Sequence, residues 1–113
     1  FVASNTPART VKGAVAELRR KGVKAGLFRP LTLWPFPIEA LRAPLRRAGR
    51  VIVVEASAGQ LEDELRLSLS HAGLKAPPLE AVRHFGGVLP QQREVVEAAL
   101  APHAPAAFAG ACA

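Results

Sequence analysis

The chain contains no methionine, a single tryptophan and a single cysteine in 113 residues. Each scarcity excludes something. One thiol, Cys112, allows no intrachain disulfide, and an iron–sulfur centre needs about four thiolates, so any such cluster must be held elsewhere. No run of about 18 apolar residues is present to span a bilayer, and the stretch after Phe1 lacks the charged-then-apolar layout of a secretory leader, so a soluble, cytoplasmic chain without membrane partners is expected. With no methionine and a start on Phe1-Val2-Ala3-Ser4 that reads as the tail of a strand, the chain is expected to be a piece of a longer polypeptide. No G-x-G-x-x-G and no Gly-rich loop ending in Lys-Ser/Thr occurs, which leaves nucleotide binding through those devices unsupported.

What is abundant is apolar and basic residues. Half the chain is hydrophobic, and 15 lysines and arginines face 9 carboxylates. A pI near 10.8 raises nucleic acid as a partner. The cations, however, are spread over helix ends and faces (Arg19, Arg20, Lys21; Arg42, Arg46, Arg47; Arg66) without interleaved aromatics, the pattern of solvated surfaces, and no nucleic-acid partner is expected.

Strand and helix signals alternate four times, which predicts an α/β three-layer sandwich around a mainly parallel sheet of at least four strands. The first unit is Phe1–Ser4 followed by a helix with Thr6 as N-cap and Pro7 at its first position; Val11, Val15 and Leu18 give that helix one apolar stripe, and Gly22 ends it. A second strand spans Val23–Phe28. Ile38–Ala48 reads as a helix interrupted by Pro44. Val51–Val54, the most hydrophobic run, is the expected central strand. It leads into a helix from about Gly59 to Ala72 that carries Leu61, Leu65 and Leu69 at i, i+4 and stops at Gly73. A fourth strand is placed at Leu79–Phe85, and Pro90 opens a last helix with Val95, Val96 and Leu100. Residues 1–101 are one domain; the Ala/Pro-rich residues 102–113 have no periodicity and are expected to be a disordered tail.

In an open parallel sheet, ligands and partners gather at the C-terminal ends of the strands. That edge would collect Ser4, Asn5 and Thr6, then Arg29 through Phe36, then Glu55 through Gln60, then residues 85–89. Helices starting at Pro7, Pro37, Gly59 and Pro90 would present free N–H groups there. Glu55 at a strand end suits general acid–base work, but with no histidine or second carboxylate nearby it reads better as a hydrogen-bond acceptor for a neighbouring loop or subunit. Trp34 and Phe36, held rigid by Pro35 and Pro37, suit an interface anchor better than a ligand stack. His84 stands alone on this edge, and no metal site is expected.

Two segments, Arg29-Pro-Leu-Thr-Leu-Trp-Pro-Phe-Pro37 and Val53-Val-Glu-Ala-Ser-Ala-Gly-Gln-Leu61, in this order, resemble the domain that follows the thiamine-binding pyrimidine domain in the alpha subunit of 2-oxoacid:ferredoxin (acceptor) oxidoreductases. Thr10–Val15 and Gly86-Gly-Val-Leu-Pro90 extend the likeness across most of the chain. The resemblance implies a transketolase C-terminal-like fold and a non-catalytic, interface-forming piece of a larger enzyme. The intact complex would decarboxylate a 2-oxoacid oxidatively with coenzyme A, using thiamine diphosphate, magnesium and iron–sulfur clusters, and would reduce ferredoxin. The functional-edge or interface candidates under this reading are Ser4, Asn5, Thr6, Arg29, Trp34, Phe36, Glu55, Gly59 and Gln60, with no catalytic residue and no cofactor bound by this domain alone. The family's Gly-Asp-Gly cofactor motif does not occur, and Ser57-Ala58 stand where relatives often carry an asparagine. Two other readings remain: the equivalent domain of another transketolase-like thiamine enzyme, which would lack the Trp-Pro-Phe-Pro turn, or an independent basic binding module.

Overall fold

A computed structural model describes residues 1–31, 36–84 and 89–102. Its elements run β1 (Val2–Ala3), α1 (Asn5–Arg20), α2 (Ile38–Arg47), β2 (Val51–Glu55), α3 (Gln60–Ala72), β3 (Leu79–Arg83) and α4 (Gln92–Leu100). The three strands form one parallel sheet in the order β1-β2-β3, with Val2 opposite Val53 and Val51 opposite Leu79. This is the expected α/β sandwich with a parallel sheet.

β2 explains the layering. All five of its residues are buried, as expected of a parallel strand covered on both faces. Because successive side chains point to opposite faces, Ile52 and Val54 join a core built with Val11, Leu18 and Val95, whereas Val51 and Val53 join another built with Leu41, Leu45 and Leu65. Helices α1 and α4 therefore cover one face, and α2 and α3 the other. In α1 the buried stripe is Val11, Ala14, Val15 and Leu18; in α3 it is Leu61, Leu65 and Leu69. Gly73 closes α3 in the left-handed conformation at φ 65°, with its own N–H and that of Leu74 returning to the carbonyls of Ser70 and Leu69. Pro44 lies inside α2 on the exposed side, where its missing donor and ring are tolerated in a short, ten-residue helix.

Three expectations are corrected. Val23–Phe28 is not a strand: only Phe28 bridges Val2, so the described sheet has three strands rather than four or more. The segment still alternates, with Val23, Ala25 and Leu27 half-buried against the α1 face and Lys24 and Gly26 exposed, which is why it reads as a strand. Second, α1 does not start from Thr6. Ser4 is its N-cap and Asn5, at φ 55°, already belongs to the first turn. Third, α4 starts after Pro90, at Gln92, because Gln91 and Glu94 form a reciprocal capping box. Residues 103–113 of the expected disordered tail and residues 85–88 lie outside the described residues.

Candidate functional site

The single bridge at Phe28 places that segment on the far side of β1 from β2. The chain thus steps outward from β1 and then returns past it to β2, so the topological switch falls between β1 and β2, the position at which open α/β sheets bind ligands. One residue beyond the pair Ala3–Val54, Ser4 and Glu55 flank this point.

Glu55 is the one buried charged residue there, with 4% of its surface exposed. Both carboxylate oxygens accept. Oε1 takes the Ser57 hydroxyl at 2.5 Å and the Leu61 N–H at 3.0 Å, and Oε2 takes the Glu62 N–H at 3.2 Å. These backbone donors belong to the first turn of α3, whose N-cap position is Gly59 and offers no side chain. Glu55 therefore serves as the missing cap from the preceding strand, where its charge also meets the positive end of the helix dipole. The expected acceptor role is met by its own chain's next helix.

Gly59 is needed for its φ of 111°, which disfavours any side chain; a Cβ there would also stand 2.9 Å from Nη1 of Arg83, the movable end of a flexible side chain. That guanidinium, at the end of β3, pairs with Glu62 at 2.8 Å, and Glu62 also holds Arg66 at 2.7 Å. Two arginines share one carboxylate at this edge. Beside them, His84 Nε2 lies 2.6 Å from Glu94 Oε2, while the other oxygen of Glu94 accepts the Gln91 N–H at 3.1 Å. The His84 hydrogen bond first, and the Gln91 N–H second, hold the Glu94 carboxyl below its ordinary value.

Of the sequence candidates, Ser4, Asn5 and Thr6 sit at the switch point, Ser4 half-buried and the other two exposed; Gly59 is buried and Gln60 exposed. Arg29 is exposed after the Phe28 bridge. Phe36 corrects the interface expectation: it is 7% exposed, packs in the α2–α3 core and meets Phe28 at a ring-centroid distance of 6.2 Å. A large aromatic between two prolines gains more by filling that core than by facing water. Trp34 lies outside the described residues. The expected free N–H groups at Gly59 and Pro90 are likewise corrected, since Glu55 and the Gln91–Glu94 box use them. Sequence reasoning missed Glu62, Arg83 and Glu94; the i, i+4 spacing of Glu62 and Arg66 was the one signal available.

The described residues at this edge do not make a metal site. Among the described residues no group of three or more His, Cys, Asp and Glu converges as metal ligands, and both oxygens of Glu55 are already engaged by internal donors. Among the same residues no helix is long and apolar enough to cross a membrane.

A parallel α/β domain with structural charges at its switch point is what this geometry defines. Residues 1–95 match the family model described as pyruvate:ferredoxin oxidoreductase core domain II, and the chain belongs to that family. It is similar to the ketoisovalerate oxidoreductase subunit VorB of Methanothermobacter thermautotrophicus, 35% identical over 97 residues that cover 86% of this chain and 26% of that subunit. Similarity to the 2-oxoglutarate synthase subunit KorA of Methanocaldococcus jannaschii is 36% over 100 residues, covering 88% and 26% respectively. The chain thus spans about a quarter of the length of these curated relatives.

Proposed function

We propose that this chain is the non-catalytic, interface-forming domain of a thiamine diphosphate-dependent 2-oxoacid:ferredoxin oxidoreductase subunit. The observation that carries the reading is the family match across residues 1–95. In the intact complex the reaction is oxidative decarboxylation of a 2-oxoacid to its coenzyme A thioester, with electrons passed to ferredoxin. Other domains hold thiamine diphosphate, magnesium and the clusters. This chain contributes packing surface and order, and its partners are the remaining domains and subunits. Substrate choice lies outside it, because the chain is equally similar to a subunit named for ketoisovalerate and one named for 2-oxoglutarate.

The arrangement around Glu55 supports the non-catalytic part. A general acid or base must be free to reach a substrate proton, and here Ser57, Leu61 and Glu62 occupy the carboxylate. The test has two parts. Calorimetric titration of this chain with thiamine diphosphate and magnesium is expected to give no saturable micromolar binding; finding it overturns the assignment. In the assembled enzyme, Trp34→Ala is expected to weaken domain or subunit association by about 2 kcal/mol, as loss of an aromatic anchor does. Sedimentation profiles identical to the unsubstituted enzyme would remove Trp34 from the interface.

A further inference from the structure

We propose that the outer edge of β3 and the groove between it and α4 dock an extended segment of another polypeptide chain, one with lysine or arginine at alternate positions, as an added strand of the sheet. The proposal rests on backbone register and surface charge and does not depend on the enzyme reading.

β3 is the outermost strand of the described sheet, with β2 on one side. Its register decides which backbone groups face the other. Val51 N–H donates to the Pro78 carbonyl at 3.3 Å and His84 N–H to the Glu55 carbonyl at 3.2 Å, so Pro78, Glu80, Val82 and His84 turn their backbone toward β2. Leu79, Ala81 and Arg83 consequently turn their N–H and C=O groups outward. Among the described residues no strand pairs with that side, and Ala81 and Arg83 are exposed. Natural sheets blunt a free edge with lysine, proline, a bulge or a covering element. β3 runs Leu-Glu-Ala-Val-Arg in unbroken register with β2 and carries no lysine, proline or bulge. Of its two charges, Glu80 is committed to Arg50 and Arg83 to Glu62. The edge is built to pair.

Beside it lies an open groove of about 500 Å³, with Ala81 to His84 on one side and Glu94, Glu97, Ala98 and Ala101 on the other. The last four recur at i, i+3, i+4 and i+7, one stripe along α4 and its C-cap, apart from the buried Val95 and Val96. Ala98 and Ala101 leave room for a backbone to approach. Glu94 and Glu97 make this wall acidic on a chain whose net charge is +6. Glu97 is 70% exposed and has Arg93 only as a loose neighbour at 3.8 Å, whereas Glu94 shares its charge with His84. Side chains of an added strand alternate between the two faces of the sheet. Those on the face of Val82 look onto the carboxylates of α4, which suits basic groups; those on the face of Leu79 suit apolar ones. Backbone pairing supplies the affinity, and charge selects the partner. Residues 103–113 of this chain contain no lysine or arginine and do not match that occupant.

Residue-resolved hydrogen exchange on the 113-residue chain, titrated with the peptide acetyl-Lys-Val-Lys-Val-Lys-Val-amide and, as control, acetyl-Glu-Val-Glu-Val-Glu-Val-amide, tests the proposal. The lysine peptide is expected to slow the Ala81 and Arg83 amides at least ~10-fold, because each gains an acceptor, whereas Glu80 and Val82, already bonded to β2, keep their rates. Unchanged exchange at Ala81 and Arg83 overturns the docking edge. So does equal slowing of all four amides, which would signal general stabilisation instead of strand pairing, and so does an equal effect of the two peptides. Slowing at Ala81 and Arg83 that grows with protein concentration in the absence of peptide would make the occupant a second copy and likewise overturn the proposal. Glu97→Lys, at an exposed position of α4, is expected to weaken the lysine peptide about threefold. An unchanged titration would overturn the role of the acidic wall.

Discussion

The two ends of β2 carry opposite charges that do matching work. At its C-terminal end the Glu55 carboxylate collects N–H groups from the first turn of α3. Just before its N-terminal end the Arg50 guanidinium donates to the carbonyls of Ala98, Ala99 and Ala101 at the close of α4, and grips Glu80 of β3 through two bonds of 2.8 Å. All five of its N–H donors are used, and the Glu80 hydrogen bonds hold its proton above the ordinary arginine value. Each charge sits where the helix dipole favours it, negative at a start and positive at an end. The difference is reach. Glu55 caps a helix six and seven residues away; Arg50 caps one 48 to 51 residues away. Reach decides what a reader of the sequence can see, and it also decides what each charge stabilises: Glu55 shapes one strand-to-helix junction, while Arg50 ties β2, β3 and α4 together.

Removing each charge in turn breaks the comparison. Glu55→Ala is expected to cost about 3 kcal/mol, because buried N–H groups of α3 and the Ser57 hydroxyl lose a charged acceptor. Denaturant unfolding measures it, and a loss below about 1 kcal/mol would show that water or Ser57 replaces the cap. Arg50→Met, which keeps the stem but deletes the donors, is expected to cost about 2 kcal/mol, the lower figure reflecting a side chain that is 27% exposed and partly screened. Hydrogen exchange should show that loss concentrated at the end of α4; a uniform loss would argue against the cap.

The smallest effect concerns Glu94, and its sign follows from the direction of its shift. Its carboxyl is held below the ordinary value in the folded chain, so its contribution is present above the ordinary carboxylate range and disappears as pH falls through the depressed value. Glu94→Gln is expected to flatten the acid limb of the stability profile. Superimposable acid profiles for the two proteins would show that the His84 contact and the capping box contribute nothing to pH dependence.

The same contrast of reach runs through what was legible beforehand. The stripes of α1 and α3, the buried run of β2 and the left-handed stop at Gly73 are local patterns, and they were readable. For Glu55 an acceptor role is legible but its donors are not: the sequence points to a neighbouring loop or subunit, and the backbone donors are in the first turn of α3. Arg50 is not legible as a cap, because among the described residues none of its partners is nearer than Glu80, 30 positions on. Phe36 is misleading in sequence for a related reason: neighbouring prolines make it look presented, and only its packing with Phe28, Leu41 and Leu65 shows that it belongs to the core. Val23–Phe28 carries true strand alternation, but a strand needs a neighbour as well as a pattern, and here the neighbour β1 is two residues long. At the start of α1, Thr6-Pro7 looks like a cap and first position; Asn5 displaces it because asparagine is among the few residues that tolerate positive φ.

The register of the sheet also sets a timetable. Val2 pairs with Val53, so β1 leaves the ribosome 51 residues before its partner exists. At roughly 5–20 residues per second, that is a wait of roughly 3–10 s. During it Val2 and Ala3 have α1 and the single bridge to Phe28 to lean on, and the three-stranded sheet can begin only when β2 emerges. The last strand, 28 positions behind β2, then closes in a fraction of that time. Synthesis of this domain therefore has a slow first half and a quick second one, and the seconds before Val53 appears are when its earliest apolar residues are most open to other company.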